Sequence, residues 1–140
     1  MPPQVTINFW AVLTSAIIAM VVGSVWYSPI LFGKKWVALI EKETHRTINE
    51  LKKGTGVAYT ITFIGGLIMA YILAHFLSYA NAKTVQDGIQ GGFWAWLGFV
   101  ATTSIGGVLF TKKPFQLFLI DNAYWLLNLL IMGAILAIWK

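Results

Sequence analysis

The chain has 140 residues and a mass of 15.6 kDa; 58% of it is hydrophobic, 11% is charged, the mean hydropathy is +0.73 and the net charge is +5. A soluble domain carries roughly 25% charged residues, and one of this size has too little interior to hide so much apolar side chain, so an integral membrane protein remains and a disordered chain is excluded. There is no cysteine, which excludes disulfide scaffolds, thiolate metal sites, iron–sulfur clusters and thiol catalysis.

A helix needs about 20 mostly apolar residues to cross a bilayer. The first stretch that qualifies covers about 7–31 and holds no charged residue. It is expected to be retained rather than cleaved. The tail before it has no lysine or arginine, and it ends in Trp26-Tyr27-Ser28-Pro29 instead of a small-residue cleavage site. A loop follows over about 32–56. In it, Trp36, Leu39, Ile40, Ile48 and Leu51 fall on one helical face, Thr47 and Glu50 have capping-box spacing, and Gly54 suits a helix stop. This predicts one or two short amphipathic helices on the headgroups, where the lysines and Arg46 favour anionic lipid. A solvated connector is the plainer alternative.

The second span covers about 57–79 and contains His75, the third covers 89–110 with no ionisable residue, and the fourth covers 115–139 with Asp121. None shows the period-two alternation of a membrane β-barrel. The fold class is therefore all-α, an integral membrane four-helix bundle forming one domain over 1–140.

Eight of the ten cations sit in two loops: Lys34, Lys35, Lys42, Arg46, Lys52 and Lys53 in the first, Lys112 and Lys113 in the third. Only Lys83 and Lys140 lie on the other side. The positive-inside rule then places the first and third loops in the cytoplasm and both termini outside, in a plasma (inner) membrane. The same distribution shows that the positive charge is not a nucleic-acid footprint.

The spans resemble one another in pairs. Phe9-Trp10-Ala11-Val12-Leu13 precedes Gly23 by the spacing at which Phe93-Trp94-Ala95-Trp96-Leu97 precedes Gly107. Residues 67–74 and 130–137 agree at six of eight positions. This reads as two repeated helical hairpins about an axis along the membrane normal, with spans one and three opposite each other and likewise two and four; chance likeness among apolar helices is the alternative.

Small residues recur every four positions: Ala11, Ser15, Ala19 and Gly23; Gly66, Ala70, Ala74 and Ser78; Gly98, Thr102 and Gly106; Gly133 and Ala137. The glycine pairs 65–66, 91–92 and 106–107 also suit packing. Such stripes let helix backbones approach closely in lipid. Trp10, Tyr79, Trp94, Trp96 and Trp139 read as one aromatic belt, and Trp26, Tyr27, Trp36 and Tyr59 as the other.

Asp121 stands out chemically. It lies about 10 Å inside the start of the fourth helix near Pro114, and ionisable groups at membrane depth face the protein interior. The alternating helix directions place Ser24, Ser28, Tyr59, Thr62, Thr103 and Ser104 near its level, with Asn122, Tyr124 and Trp125 flanking it. The candidate polar site is therefore Asp121, Asn122, Tyr59, Ser24, Ser28 and Thr103. It reads either as an ion, proton or polar-solute site or as a carboxylate that ties helices together. His75 belongs to the opposite end, too far for a His–Asp dyad, and Asn128 sits near the midplane where it can bridge helices. Glu41 and His45, one turn apart in a wet loop, read as a solvated face rather than metal ligands. No HExxH, phosphate-binding glycine loop or GxSxG motif is present, so neither an enzyme nor a bound cofactor is expected.

Three runs are distinctive: 26–34, with Trp26, Tyr27, Ser28, Pro29, Phe32 and Gly33; 98–103; and 117–136, with Tyr124 and Trp125 leading into the 130–136 stretch. Together they resemble the family called domain of unknown function 1761, small and largely bacterial membrane proteins of about this length. The resemblance covers nearly the whole chain. It implies four spans and a membrane location, and it brings no activity. In the signature, Pro29 ends the first helix, Trp26 and Tyr27 suit interfacial anchors, and Gly33 turns the chain into the basic loop. The functions left are a transport- or channel-like protein acting as a homo-oligomer, and an accessory protein that binds a partner protein or anionic lipid.

Overall fold

The computed structural model describes residues 4–140, apart from the side chains of Ile48 and Leu51, so the part of the amphipathic face assigned to those two lies outside the described residues. Among the described residues all regular structure is helical. Helix α1 (Phe9–Trp26) is followed by α2 (Gly33–Thr44), the single turn α3 (Ile48–Leu51) and α4 (Thr55–Tyr79). The next rod runs as α5 (Val85–Ala95), a π-helical turn (Trp96–Ala101) and α6 (Thr102–Thr111); α7 (Phe115–Ile138) closes the chain. α1, α4, the α5–π–α6 rod and α7 are each long and apolar enough to cross a membrane.

Local chemistry sets the helix ends. The Asn8 carboxamide oxygen accepts from the backbone N–H groups of Trp10 and Ala11 at 3.0 and 3.3 Å, which starts α1. The rod begins at Val85, ahead of the apolar run that begins near 89, because Thr84 and Asp87 form a reciprocal capping box. At the start of α3, Thr47 Oγ1 accepts from the Glu50 backbone N–H at 3.3 Å. Gly54 does not simply stop a helix; it sits at φ 74° and caps the start of α4. The first span is helical only as far as Trp26, and residues 27–32 form the turns that lead into α2.

α7 is the centre of the molecule. It packs against α1, α4 and α5, while α1 also packs on α4. The innermost apolar side chains are Ala11, Val12, Ala70, Leu73, Met132 and Leu136. Lys140 Nζ donates to the Ala82 carbonyl at 2.8 Å and ties the C-terminus to the α4–α5 turn. Thr6 and Asn8 line a small pit with Ser78 and Trp139, so the start of α1 and the end of α7 lie at one end, here the terminal end. α2, α3 and the α6–α7 turn occupy the other, the loop end.

The small-residue stripes behave unequally. On α1, Ala11, Ser15 and Ala19 are buried; on α4, Gly66, Ala70 and Ala74 are buried, and Gly66 faces Ala16. The closest approach is between α5 and α7, where Gly88 and Gly92 lie directly on the α7 backbone. A Cβ on Gly88 would overlap the Gly133 carbonyl, one on Gly92 the Leu129 carbonyl, and one on Gly133 the Gly88 carbonyl. The Gly98, Thr102 and Gly106 stripe is different. A Cβ on either of its glycines meets nothing within 4 Å, and α6 has no buried residue. The contacting face of the rod runs through Gly88, Gly92 and Trp96, and Gly98, two residues on from Trp96, falls on about the opposite side. Four-residue spacing identified a stripe correctly but carried no information about which side of the helix meets a neighbour.

Candidate functional site

Three consecutive residues of α7, Ile120 to Asn122, receive aromatic donors from three other parts of the chain. Trp26 Nε1 donates to the Ile120 carbonyl at 3.0 Å. Tyr27 Oη donates to Asp121 Oδ1 at 2.6 Å, and Trp36 Nε1 donates to the same oxygen at 3.1 Å. On the other side, Trp96 Nε1 donates to the Asn122 carbonyl at 2.9 Å. Bonds of this kind are well suited to joining helices in lipid, where apolar surface supplies no drive to associate. One turn further along α7, Tyr124 Oη donates to the Ala19 carbonyl at 3.0 Å, and its ring stands edge-on to Tyr27 with centroids 5.3 Å apart.

The signature run makes this convergence possible. Ser28 Oγ donates to the Val25 carbonyl at 2.6 Å as α1 ends, and the Gly33 N–H donates to the Ser28 carbonyl at 2.9 Å as the chain doubles back. Gly33 is pressed onto its own turn: a Cβ there would overlap the Tyr27 carbonyl and lie 2.6 Å from the Ser28 carbonyl carbon. Phe32 packs on Trp26 with ring centroids 4.7 Å apart. Doubling back carries Trp36, in the first turn of α2, over Tyr27, with ring centroids 5.3 Å apart. Trp26, Tyr27 and Trp36 therefore reach α7 together, each donating its polar hydrogen there.

Asp121 is half-buried, and its hydrogen-bond partners are not the hydroxyls that depth alone suggested. Ser24 Oγ donates to Met20 O at 3.0 Å, Ser28 to Val25 O, and Thr103 Oγ1 to Phe99 O at 2.7 Å. Ser24 and Thr103 are satisfied by their own helices, the usual habit of a serine or threonine inside one, and Ser28 by the carbonyl of the last turn of α1 just before it. Asn122 is buried, and its Nδ2 donates to the Phe118 carbonyl at 3.0 Å. Tyr59 is 61% exposed on α4 and belongs to a different feature. Away from this level, His75 Nδ1 pairs with the Tyr71 carbonyl at 2.9 Å, and Ser15 and Asn128 are polar side chains fully buried on α1 and α7.

That different feature is a cleft of about 910 Å³ at the loop end. Its walls come from the last turns of α1 (Met20, Gly23, Ser24), from α2 with its roof residues Trp36 and Val37, from the first turns of α4 (Ala58, Tyr59, Thr62), and from Tyr124 and Trp125 of α7. It exists because α4 joins the bundle along only part of its length. From Gly66 onward α4 buries one residue per turn, whereas residues 55–65 bury none. The wedge between that unpacked segment and the α1–α7 pair is the cleft. Tyr27 and Trp36 line it directly, so the hydrogen bonds to Asp121 brace its wall from behind. Ser24 and Tyr59 of the candidate set line it; Ser28, Thr103, Asp121 and Asn122 do not.

A family model described as "Protein of unknown function (DUF1761)" matches residues 10–137 of the chain. No curated protein and no solved structure matches it.

Proposed function

We propose that this chain, which belongs to the DUF1761 family of proteins of unknown function, is a membrane-embedded binding protein of transport type and not an enzyme, with its working site inside a single chain. The observation that carries this reading is the cleft. A volume of about 910 Å³ lies in the range that takes small organic ligands, and the walls combine apolar and aromatic side chains with a few polar groups, as ligand sites do. Asp121 serves this site indirectly: it holds Tyr27 and Trp36 in the wall. By the distribution of cations the cleft opens toward the cytoplasm. A duplicated hairpin suits the reading, with α1–α4 as one unit and the rod with α7 as the other.

The test is a thermal-shift screen of the purified chain against panels of organic acids, amines and lipids, repeated on Ala58→Trp, which fills the cleft from the exposed side of α4. Ligands that stabilise the parent and not Ala58→Trp sustain the proposal. A ligand response that Ala58→Trp leaves unchanged removes it, and so does the absence of any response across the panels. Asp121→Asn separates bracing from charge, because an amide oxygen still accepts from Tyr27 and Trp36. It should fold and bind like the parent. Loss of binding in a folded Asp121→Asn would make the carboxylate charge itself part of the site.

A homo-oligomer is the second reading, favoured by the bare face of the third span at Gly98, Gly106 and Gly107. If that face joins copies of the chain, Gly106→Ile should lower the mass measured in nanodiscs without unfolding the monomer. An unchanged mass would leave the cleft as the only site of interest.

A further inference from the structure

The cleft is two-sided in chemistry, with an apolar part and a charged part to its lining. Met20, Val37, Ala58 and Trp125 give it apolar lining from α1, α2, α4 and α7. At the mouth are Lys34, in the first turn of α2, and Lys52, in the segment that leads into α4. Both lysines are exposed, so their ammonium groups stay hydrated while bordering the opening. Glu41 is the one acidic residue of the lining, so the lining as a whole carries an excess of positive charge. Beyond the lining the same loop adds Lys35, Lys42, Arg46 and Lys53 against Glu43 and Glu50, a further net positive charge.

We propose that the occupant of the cleft is an acidic amphiphile, a phosphate- or carboxylate-headed molecule with its head between Lys34 and Lys52 and its apolar chain in the wedge along α4. The inference rests on the cleft being a ligand site and adds the class of ligand. Two arguments support an anion over a neutral or cationic molecule. Two lysines against one glutamate set the sign of the field at the mouth. Long-stemmed lysines at the edge of an apolar surface also reach a headgroup without leaving water. The chain part follows from the rest of the lining, which offers apolar side chains and aromatic rings to the ligand. The head is recognised as a point charge, since lysine lacks the forked donors that would select one anion geometry. Phosphate and carboxylate heads are therefore both admitted. The molecule is either a phospholipid of the surrounding bilayer or a single-chain acid that enters from it.

The experiment uses the full chain in nanodiscs of phosphatidylcholine, with and without phosphatidylglycerol. Lipid retained by the protein after transfer to neutral detergent is counted by native mass spectrometry. Oleate is added to the phosphatidylcholine sample as a separate arm. The parent should retain phosphatidylglycerol or oleate in preference to phosphatidylcholine. The double variant Lys34→Gln/Lys52→Gln should weaken that retention about tenfold or more, with a matching loss of salt sensitivity. Retention of phosphatidylglycerol alone identifies a bilayer lipid, and retention of oleate alone identifies a single-chain acid; either supports the proposal. If Ala58→Trp abolishes retention while the lysine variant matches the parent and phosphatidylcholine is kept equally well, the cleft is a site but its ligand is not acidic, and this proposal falls alone. If Ala58→Trp retains everything the parent does, the cleft reading falls with it. Circular dichroism and a melting curve on each variant exclude misfolding, and Lys34→Arg/Lys52→Arg, which keeps both charges, should restore retention.

Discussion

Tyr27 contributes a single hydroxyl to the junction of α1 with α7, and deleting only that group tests what the junction is worth. Tyr27→Phe keeps the ring contacts with Trp36 and Tyr124 and removes the 2.6 Å bond to Asp121. Interhelical hydrogen bonds in membrane proteins are worth about 0.6 kcal/mol on average and up to about 1.7. This one is short and accepted by a carboxyl oxygen, so a loss of about 1–1.5 kcal/mol is expected in detergent unfolding followed by tryptophan fluorescence. Asp121→Leu should cost more, because it strands two donors at once. Asp121 was legible in the sequence as the one acid inside a span. Its partners were not, for a physical reason. Depth brings hydroxyls to the right level, but a helical serine or threonine has its own i−4 carbonyl within reach, and Ser24 and Thr103 take it. The donors that remain are indole and phenol groups, which cannot fold back onto their own turn. A Trp-Tyr pair and a third aromatic on either side of a Pro–Gly turn was the available signal.

At the scale of the element, the α5–α7 crossing and α6 make opposite predictions for the same substitution. Gly133→Ala drives a methyl into the Gly88 carbonyl and must push two backbones apart. A destabilisation of about 1–3 kcal/mol is expected, seen as a lowered melting temperature in detergent. Gly107→Ala meets open space and gains helix propensity, so it should be neutral or stabilising by up to about 1 kcal/mol in the monomer. Equal effects at the two positions would mean that the crossing is looser than described. The existence of the four long apolar helices could be read from hydropathy, but not all of their ends, since α1 stops at Trp26 and the rod starts at Val85. The π turn at Trp96–Ala101 could not. It depends on tertiary geometry, where Trp96 reaches across to Asn122 while α5 stays in contact with α7. The left-handed residues His45 and Lys112, at φ 58° and 56°, were equally hidden, because neither is a residue type that announces such a turn.

For the whole molecule, the lack of cysteine makes the orientation directly measurable. Single cysteines at Lys42 and Lys83 sit in opposite sets of loops on an otherwise thiol-free chain. With the loop end cytoplasmic, a membrane-impermeant maleimide added to intact cells should label Lys83→Cys and leave Lys42→Cys unlabelled until the cells are broken. The reverse pattern would turn the cleft toward the outside and change the pool from which its ligand is drawn. The arrangement of helices around α7 could not be read from sequence, because apolar spans of similar composition are interchangeable until specific contacts such as Gly88 on Gly133 distinguish them.

α4 can also be viewed as a lever. Its far part is clamped to α1 and α7 from Gly66 onward, and the free arm of residues 55–65 is about 16 Å long at 1.5 Å per residue. Gly65, at the root of that arm, has no neighbour within 4 Å of where a Cβ would stand. A tilt of only about 10° there would carry Thr55 through about 3 Å and change the width of the mouth while the rest of the bundle stays still.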